Sequence, residues 1–182
     1  MPKFLLAFVL IALTLPVAAA DYVQTRGSSL VFAGTYQGQP FTGHFPGFRT
    51  TLSFDPAQPE AGRLEVSIPL ATATTNNPDY DPEMRGPSFL DVARFATARY
   101  TAHGFRALDD GRFAADGTLD LHGVQQPVTL TFTWTPGEQP VLSGRATVPR
   151  LAFGIGSGEW ASTSIIPDDI SVSTRVVLAP AP

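Results

Sequence analysis

From about residue 28 to the C terminus, apolar side chains recur at every second position, the period of a β-strand with one dry and one wet face. In "PVTLTFTW", Val128, Leu130, Phe132 and Trp134 alternate with Thr129, Thr131 and Thr133. Leu64, Val66, Ile68 and Leu70 alternate with Glu65 and Ser67, Leu119 and Leu121 alternate with Thr118, Asp120 and His122, and Ile170, Val172, Val176 and Leu178 flank Thr174. Turn-forming clusters separate these runs: "DPAQPEAG" at 55–62, "DDG" at 109–111, "HGVQQP" at 122–127 and "TPGEQP" at 135–140. Such clusters between alternating runs read as hairpin connections. The pattern predicts eight strands near 28–36, 40–54, 61–71, 98–107, 111–122, 126–134, 141–150 and 169–178.

Two segments interrupt it. Residues 72–97 begin as a polar Asn/Pro/Asp loop and pass into "SFLDVARF", where Ser88 with Asp91 resembles a capping box and Phe89, Val92 and Ala93 or Phe95 fall at helical spacing. This predicts a short helix between the third and fourth strands. The other interruption, "RLAFGIGSGEW" followed by "ASTSIIPDD", carries the chain from the seventh strand to the eighth. The fold class is therefore all-β. Eight one-sidedly apolar antiparallel strands form a sandwich or close into a barrel, and closure removes the exposed edges. An eight-stranded barrel is just wide enough to be filled by side chains or to hold one small ligand.

The N terminus changes the picture of where such a barrel works. "MPKFLLAFVLIALTLPVAAA" has a basic start at Lys3, an apolar run from Phe4 to Leu15 and the small residues Ala18-Ala19-Ala20. That is the form of a secretory signal peptide over residues 1–20, leaving 21–182 as a single domain in the periplasm or outside the cell. The apolar run is too short for a spanning helix, and Pro16 closes it. Removing these residues takes the chain's one lysine, so 11 arginines face 16 acids and the net charge becomes −5. An acidic chain without lysine is a poor match for nucleic acid and cannot form a lysine Schiff base. With no cysteine, it has neither disulfides nor a thiol nucleophile.

Candidate chemistry is sparse. Gly154, Gly156 and Gly158 fit neither G-x-G-x-x-G, since Glu159 holds the third position, nor a P-loop. His44, His103 and His122 lie on three different segments without metal-ligand spacing. Asp109-Asp110 and Asp168-Asp169 sit in turns, where Asp bonds its own backbone. Ser157 lacks the G-x-S-x-G frame. No constellation points to an enzyme, a metal or a cofactor. The aromatic residues are more informative as a set: Phe32, Phe48, Phe54, Phe89, Phe95, Tyr100, Phe132, Trp134, Phe153 and Trp160 are spread over strands and the expected helix. Singly they read as core; on the inner faces of a barrel they would together line an apolar cavity. Strand parity places Arg150 on the apolar side with Leu142, Gly144, Ala146 and Val148. Three readings stay open for it: contact with a ligand's polar end, a pair with Glu159, or an outward turn after a bulge at Pro149.

Four stretches carry a family resemblance. "FTGHFPGFRTTLSFDPAQPEAGRLEVSI", "DPEMRGPSFLDVARFATARYTAHGF", "GTLDLHGVQQPVTLTF" and "RLAFGIGSGEW" resemble, in this order, segments of the YceI-like proteins. The resemblance spans most of 28–178. Ala96, Leu90 and Leu151-Ala152 depart from the family pattern, where proline, phenylalanine and a polar pair are common. It implies a lipocalin-like antiparallel barrel, exported, enclosing a polyisoprenoid or quinone-like lipid, here with eight strands; the aromatic set above and Arg150 are the expected ligand-binding residues on the strands' own pattern. Two alternatives share the periodicity: an outer-membrane barrel with its apolar faces outward, and a filled barrel that is an interaction module without ligand. The expected partner is an apolar small molecule, with no membrane-spanning segment, and a homodimer is left open.

Overall fold

In the computed structural model the described residues are 20–182; the expected signal peptide, apart from Ala20, lies outside them. Among the described residues there are ten strands: β1 (Ala20–Gln24), β2 (Ser29–Tyr36), β3 (Gln39–His44), β4 (Arg49–Phe54), β5 (Arg63–Pro69), β6 (Thr97–Ala107), β7 (Phe113–Leu121), β8 (Val124–Thr135), β9 (Val141–Pro149) and β10 (Asp169–Pro180). All neighbours are antiparallel, in the order β1-β4-β5-β6-β7-β8-β9-β10, and β10 returns to β1 through Leu178↔Gln24 and Pro180↔Tyr22. The ring is a closed eight-stranded barrel. The ten segments fill eight strand positions because two positions are broken. β10 pairs with β2 through Ser171–Arg175 and with β1 further along, while β3 pairs with β2 and β4 with β1.

Tight turns hold this register. Gln37-Gly38 and His122-Gly123 each have positive φ at both residues (49° and 80°, 56° and 75°). This is the two-residue hairpin geometry whose twist matches the flanking strands, here closed by Tyr36↔Gln39 and Leu121↔Val124. Along β8, Val128, Leu130 and Phe132 are buried while Thr129 and Thr133 are exposed. The apolar faces therefore point into the barrel, the reverse of the orientation in an outer-membrane barrel.

The interior is divided along its axis. At one end Phe54, Phe105, Phe113, Phe132, Trp134 and Tyr22 form an aromatic plug centred on Phe54, whose ring lies 5.0 Å from Phe113, 5.2 Å from Trp134 and 5.6 Å from both Phe105 and Phe132. Most of these contacts are edge-to-face or tilted, the arrangement ring quadrupoles favour. At the other end β3 has no strand on its outer side. Among the described residues its only pairing there is the bridge His44↔Thr74, so the segment 70–96 stands where a neighbouring strand would lie.

A short helix does lie between the third and fourth expected strands, here β5 and β6, but that segment places it earlier than 88–95. The one α-helix among the described residues is α1 (Asp81–Arg85), with proline at its start. It precedes "SFLDVARF", which forms turns. Asp91 adopts φ 41°, a left-handed conformation that cannot propagate a helix, and its N–H bonds Gly86 O at 2.9 Å. Ser88 and Asp91 therefore make no capping box, and the apolar side chains are anchored by tertiary contact. Leu90 is 7% exposed.

Replacing Phe54 by alanine removes the centre of the plug and is expected to cost about 3–5 kcal/mol. Thr51→Ala on the exposed face of the same strand is expected to stay within about 0.5 kcal/mol. Urea denaturation of both variants checks the contrast.

Candidate functional site: a lumen open at one end

Beyond the plug the barrel encloses a cavity of about 500 Å³, within the range of about 300–1,000 Å³ usual for small-molecule sites. Its floor and walls are the inward residues of nearly every strand: Leu64, Val66 and Ile68 from β5, Leu119 and Leu121 from β7, Val128 and Leu130 from β8, Leu142, Ala146 and Val148 from β9, Ile170, Val172 and Val176 from β10. Tyr100 is the main polar group deep inside. Its ring lies over Gly117, where a Cβ would collide with it, and its hydroxyl sits 2.8 Å from Ala115 O and 3.1 Å from Val128 O. A phenol has one proton to share between these two acceptors. Burial, assisted by the nearby Asp116 charge, pushes its pKa up to about 12, so it stays neutral. Thr50 is 3% exposed, lines the cavity, and has no hydrogen-bond partner for its Oγ1.

The rim is built by three segments. The β2–β3 hairpin contributes Tyr36 and Gln39, the segment 70–96 contributes Thr75, Asp79, Tyr80, Glu83, Met84 and Phe89, and the 150–166 connection contributes Ile155, Trp160 and Ile166. Tyr36 stands 6.4 Å from Tyr80 and 6.3 Å from Trp160, and Phe89 stands 5.5 Å from Trp160, ring centre to ring centre. Asp81 ties the second segment down. Its carboxylate accepts hydrogen bonds from Thr74 Oγ1 (2.6 Å), Thr75 N (2.7 Å) and Thr75 Oγ1 (2.7 Å), with Arg85 at 3.4 Å. Burial alone would raise its pKa. The threonine hydrogen bonds and the arginine charge outweigh that and hold it below the usual 3.8.

Arg150 organises the third segment. The residue is 3% exposed, and all five N–H groups of its guanidinium are given to backbone carbonyls. Nε reaches Pro167 O (3.1 Å), Nη1 reaches Ile155 O (2.9 Å) and Gly156 O (3.0 Å), and Nη2 reaches Trp160 O (2.8 Å) and Ile166 O (2.8 Å). The loop is wrapped around its own cation. Two glycines permit the wrap. Gly154, at φ 70°, caps the 3₁₀ turn Arg150–Phe153, and at Gly156, also at φ 70°, a Cβ would collide with Nη1. Gly156 N also bonds Ser88 O at 2.8 Å, joining the second and third rim segments. Arg150 thus lies on the inner side, as strand parity predicts, without pairing with Glu159. No N–H remains for a ligand's polar end.

Of the aromatic set singled out from the sequence, Phe32, Phe89, Tyr100 and Trp160 line the cavity together with Arg150. Phe54, Phe132 and Trp134 belong to the plug. Phe48 is buried beneath the break between β3 and β4, where its carbonyl accepts from Gln24 Nε2 at 3.0 Å. Phe95 packs at 4.6 Å from the His122 ring, with the Arg94 guanidinium 5.1 Å from its centre. Phe153 is fully buried, and its carbonyl bonds His122 Nδ1 at 3.0 Å. The aromatic criterion missed Tyr36, Phe41, Phe45 and Tyr80, and above all the aliphatic walls. The period-two alternation carried the signal for those walls.

This geometry defines a class: an antiparallel β-barrel closed by a plug at one end and holding an apolar cavity open at the other. A family model, YceI-like domain, matches residues 22–178, and the chain belongs to that family. It is 36% identical over 148 residues to a UPF0312 protein of Shewanella denitrificans, covering 77% of this chain and 78% of the relative. It is 34% identical over 154 residues to one of Pseudomonas fluorescens, covering 76% and 78%. Among solved structures, Burkholderia cenocepacia BcnA superposes with a TM-score of 0.79 at 24% identity, covering 82% of this chain and 95% of that one. A polyisoprenoid binding domain from Saccharophagus degradans gives 0.69 at 15% identity, covering 90% and 99%.

Arg150→Met should cost about 3 kcal/mol or more, since it strands buried carbonyls that now accept from a cation. Arg150→Lys should not restore the loss, because an ammonium cannot reproduce the five-donor fork. Denaturation midpoints test both. Because the Asp81 pKa is depressed in the fold, its contribution is complete above the unfolded value and disappears as pH falls through the folded one. Protection against hydrogen exchange across 74–85, taken relative to the intrinsic exchange rate at each pH, is expected to be lower at about pH 3 than at about pH 5, and Asp81→Asn should abolish most of that difference.

Proposed function

We propose that this protein is an exported carrier that holds a polyisoprenoid or similarly apolar lipid in the barrel lumen, in the periplasm or outside the cell. The observation that carries this reading is the predominantly hydrocarbon lining of an open cavity, drawn from the inner faces of the strands. Burial at about 25 cal/mol per Å² of apolar surface is enough to bind a long chain without any catalytic group. Membership of the YceI-like family and the likeness in fold to a polyisoprenoid binding domain support the choice of ligand. The signal-peptide pattern of residues 1–20 supports export.

Organic extraction of the purified protein followed by mass spectrometry is expected to recover such a lipid. Ala146→Trp, which places an indole in the lumen, should empty it while leaving a folded barrel. Recovery of the same lipid from the filled variant would place the ligand elsewhere. Intact mass of the exported protein is expected to begin at Asp21.

A further inference from the structure

Every charge around the cavity can be accounted for. Among the described residues lining it, only Asp79, Glu83 and Arg150 are ionic. Arg150 is buried with each of its donors already bonded to a carbonyl, so it offers nothing to an incoming anion. Asp79 and Glu83 are exposed on the rim. Arg85, the cation nearest them in sequence, is turned to Ala73 O, with Nη2 at 2.6 Å and Nε at 2.8 Å, and to Asp81. A phosphate or diphosphate entering here would meet two carboxylates and no available cation, whereas sites built for such groups supply a free arginine fork, a lysine or a ring of backbone N–H groups.

Uncharged oxygen is better served. Thr50 Oγ1 and the indole Nε1 of Trp160 belong to cavity-lining residues, and both are buried without a partner. Buried donors are almost always paired in folded proteins. An ether, carbonyl or hydroxyl oxygen could supply an acceptor without the cost of bringing an anion to this rim.

Resting on the carrier reading above, we infer that the site selects lipids with an uncharged head and rejects the phosphorylated forms of the same chain, with Asp79 and Glu83 as the residues that discriminate. At the short range of a rim contact, two like charges at intermediate effective dielectric repel enough to shift affinity by about tenfold, and salt screens the effect.

The test is competitive displacement of a fluorescent prenyl probe by a prenol and by the prenyl monophosphate of equal chain length. At low ionic strength the prenol is expected to bind about tenfold more tightly. The ratio should shrink in the Asp79→Asn/Glu83→Gln double variant, and in the unaltered protein at about 1 M salt, where the Debye length is about 3 Å. Equal affinity for the two competitors would overturn the inference and leave the carrier reading intact, as would a ratio that neither the variant nor salt moves. Displacement by neither competitor, with no uptake of the probe, would instead overturn the carrier reading and this inference with it.

Discussion

An eight-stranded barrel has little interior to share, and the fold depends on how that interior is divided. Filling all of it with side chains would give a rigid core with no cavity; leaving all of it open would forfeit the packing that holds the strands together. Here the aromatic plug around Phe54 and Phe132 fills one end densely, and the aliphatic residues of the same strands continue past it without meeting across the axis. On β8 the division falls between Phe132, in the plug, and Leu130, in the wall. The closed end supplies the stability that the open end gives up.

Keeping the far end open requires loops that hold their shape without strand partners. Two of the three rim segments solve this with one charged side chain turned inward on its own segment. Arg150 gathers five carbonyls, and Asp81 gathers one backbone amide and two hydroxyls. Both are charge-assisted, and such bonds are roughly twice as strong as neutral ones. The consequence for function is indirect. These charges are consumed by architecture, so what the cavity presents to a ligand is hydrocarbon, a neutral phenol and, at the rim, aromatic rings with two exposed carboxylates.

The strands and their one-sided apolar faces could be read from alternation, because a one-residue slip would exchange the two faces. Closure into a barrel came with the family resemblance, and the inward direction of the apolar face with the structure. The two-residue turns at Gln37-Gly38 and His122-Gly123 gave way to hairpins with only local requirements. The breaks at 25–28 and 45–48 were not legible: alternation reads 40–54 as one strand, which the structure divides into β3 and β4, and it does not read β1 at Ala20–Gln24. They depend on two chain segments bending together, and neither segment carries that instruction by itself. The helix expected at 88–95 has the right spacing, yet the backbone there is set by Leu90, which is held in the core, and by Gly156 N bonded to Ser88 O. Tertiary contact overrode local propensity at a segment too short to nucleate its own helix.

By itself the sequence determined the all-β class, the number of strand positions and which residues of the patterned strands share an apolar face, with Arg150 on that face by parity. All of these follow from period-two patterning and local turn chemistry, which act over a few residues. Only the tertiary structure decided which aromatic residues are plug and which are wall, since Phe32 and Phe54 look alike in sequence and differ only in their depth along the barrel axis. It also decided the role of Arg150. Its five carbonyl partners come from Ile155, Gly156, Trp160, Ile166 and Pro167, and no local pattern foretells that a connection will close on the residue that begins it. Depth and loop closure are properties of the assembled barrel, because they arise when distant strands fix where each end of a segment must lie.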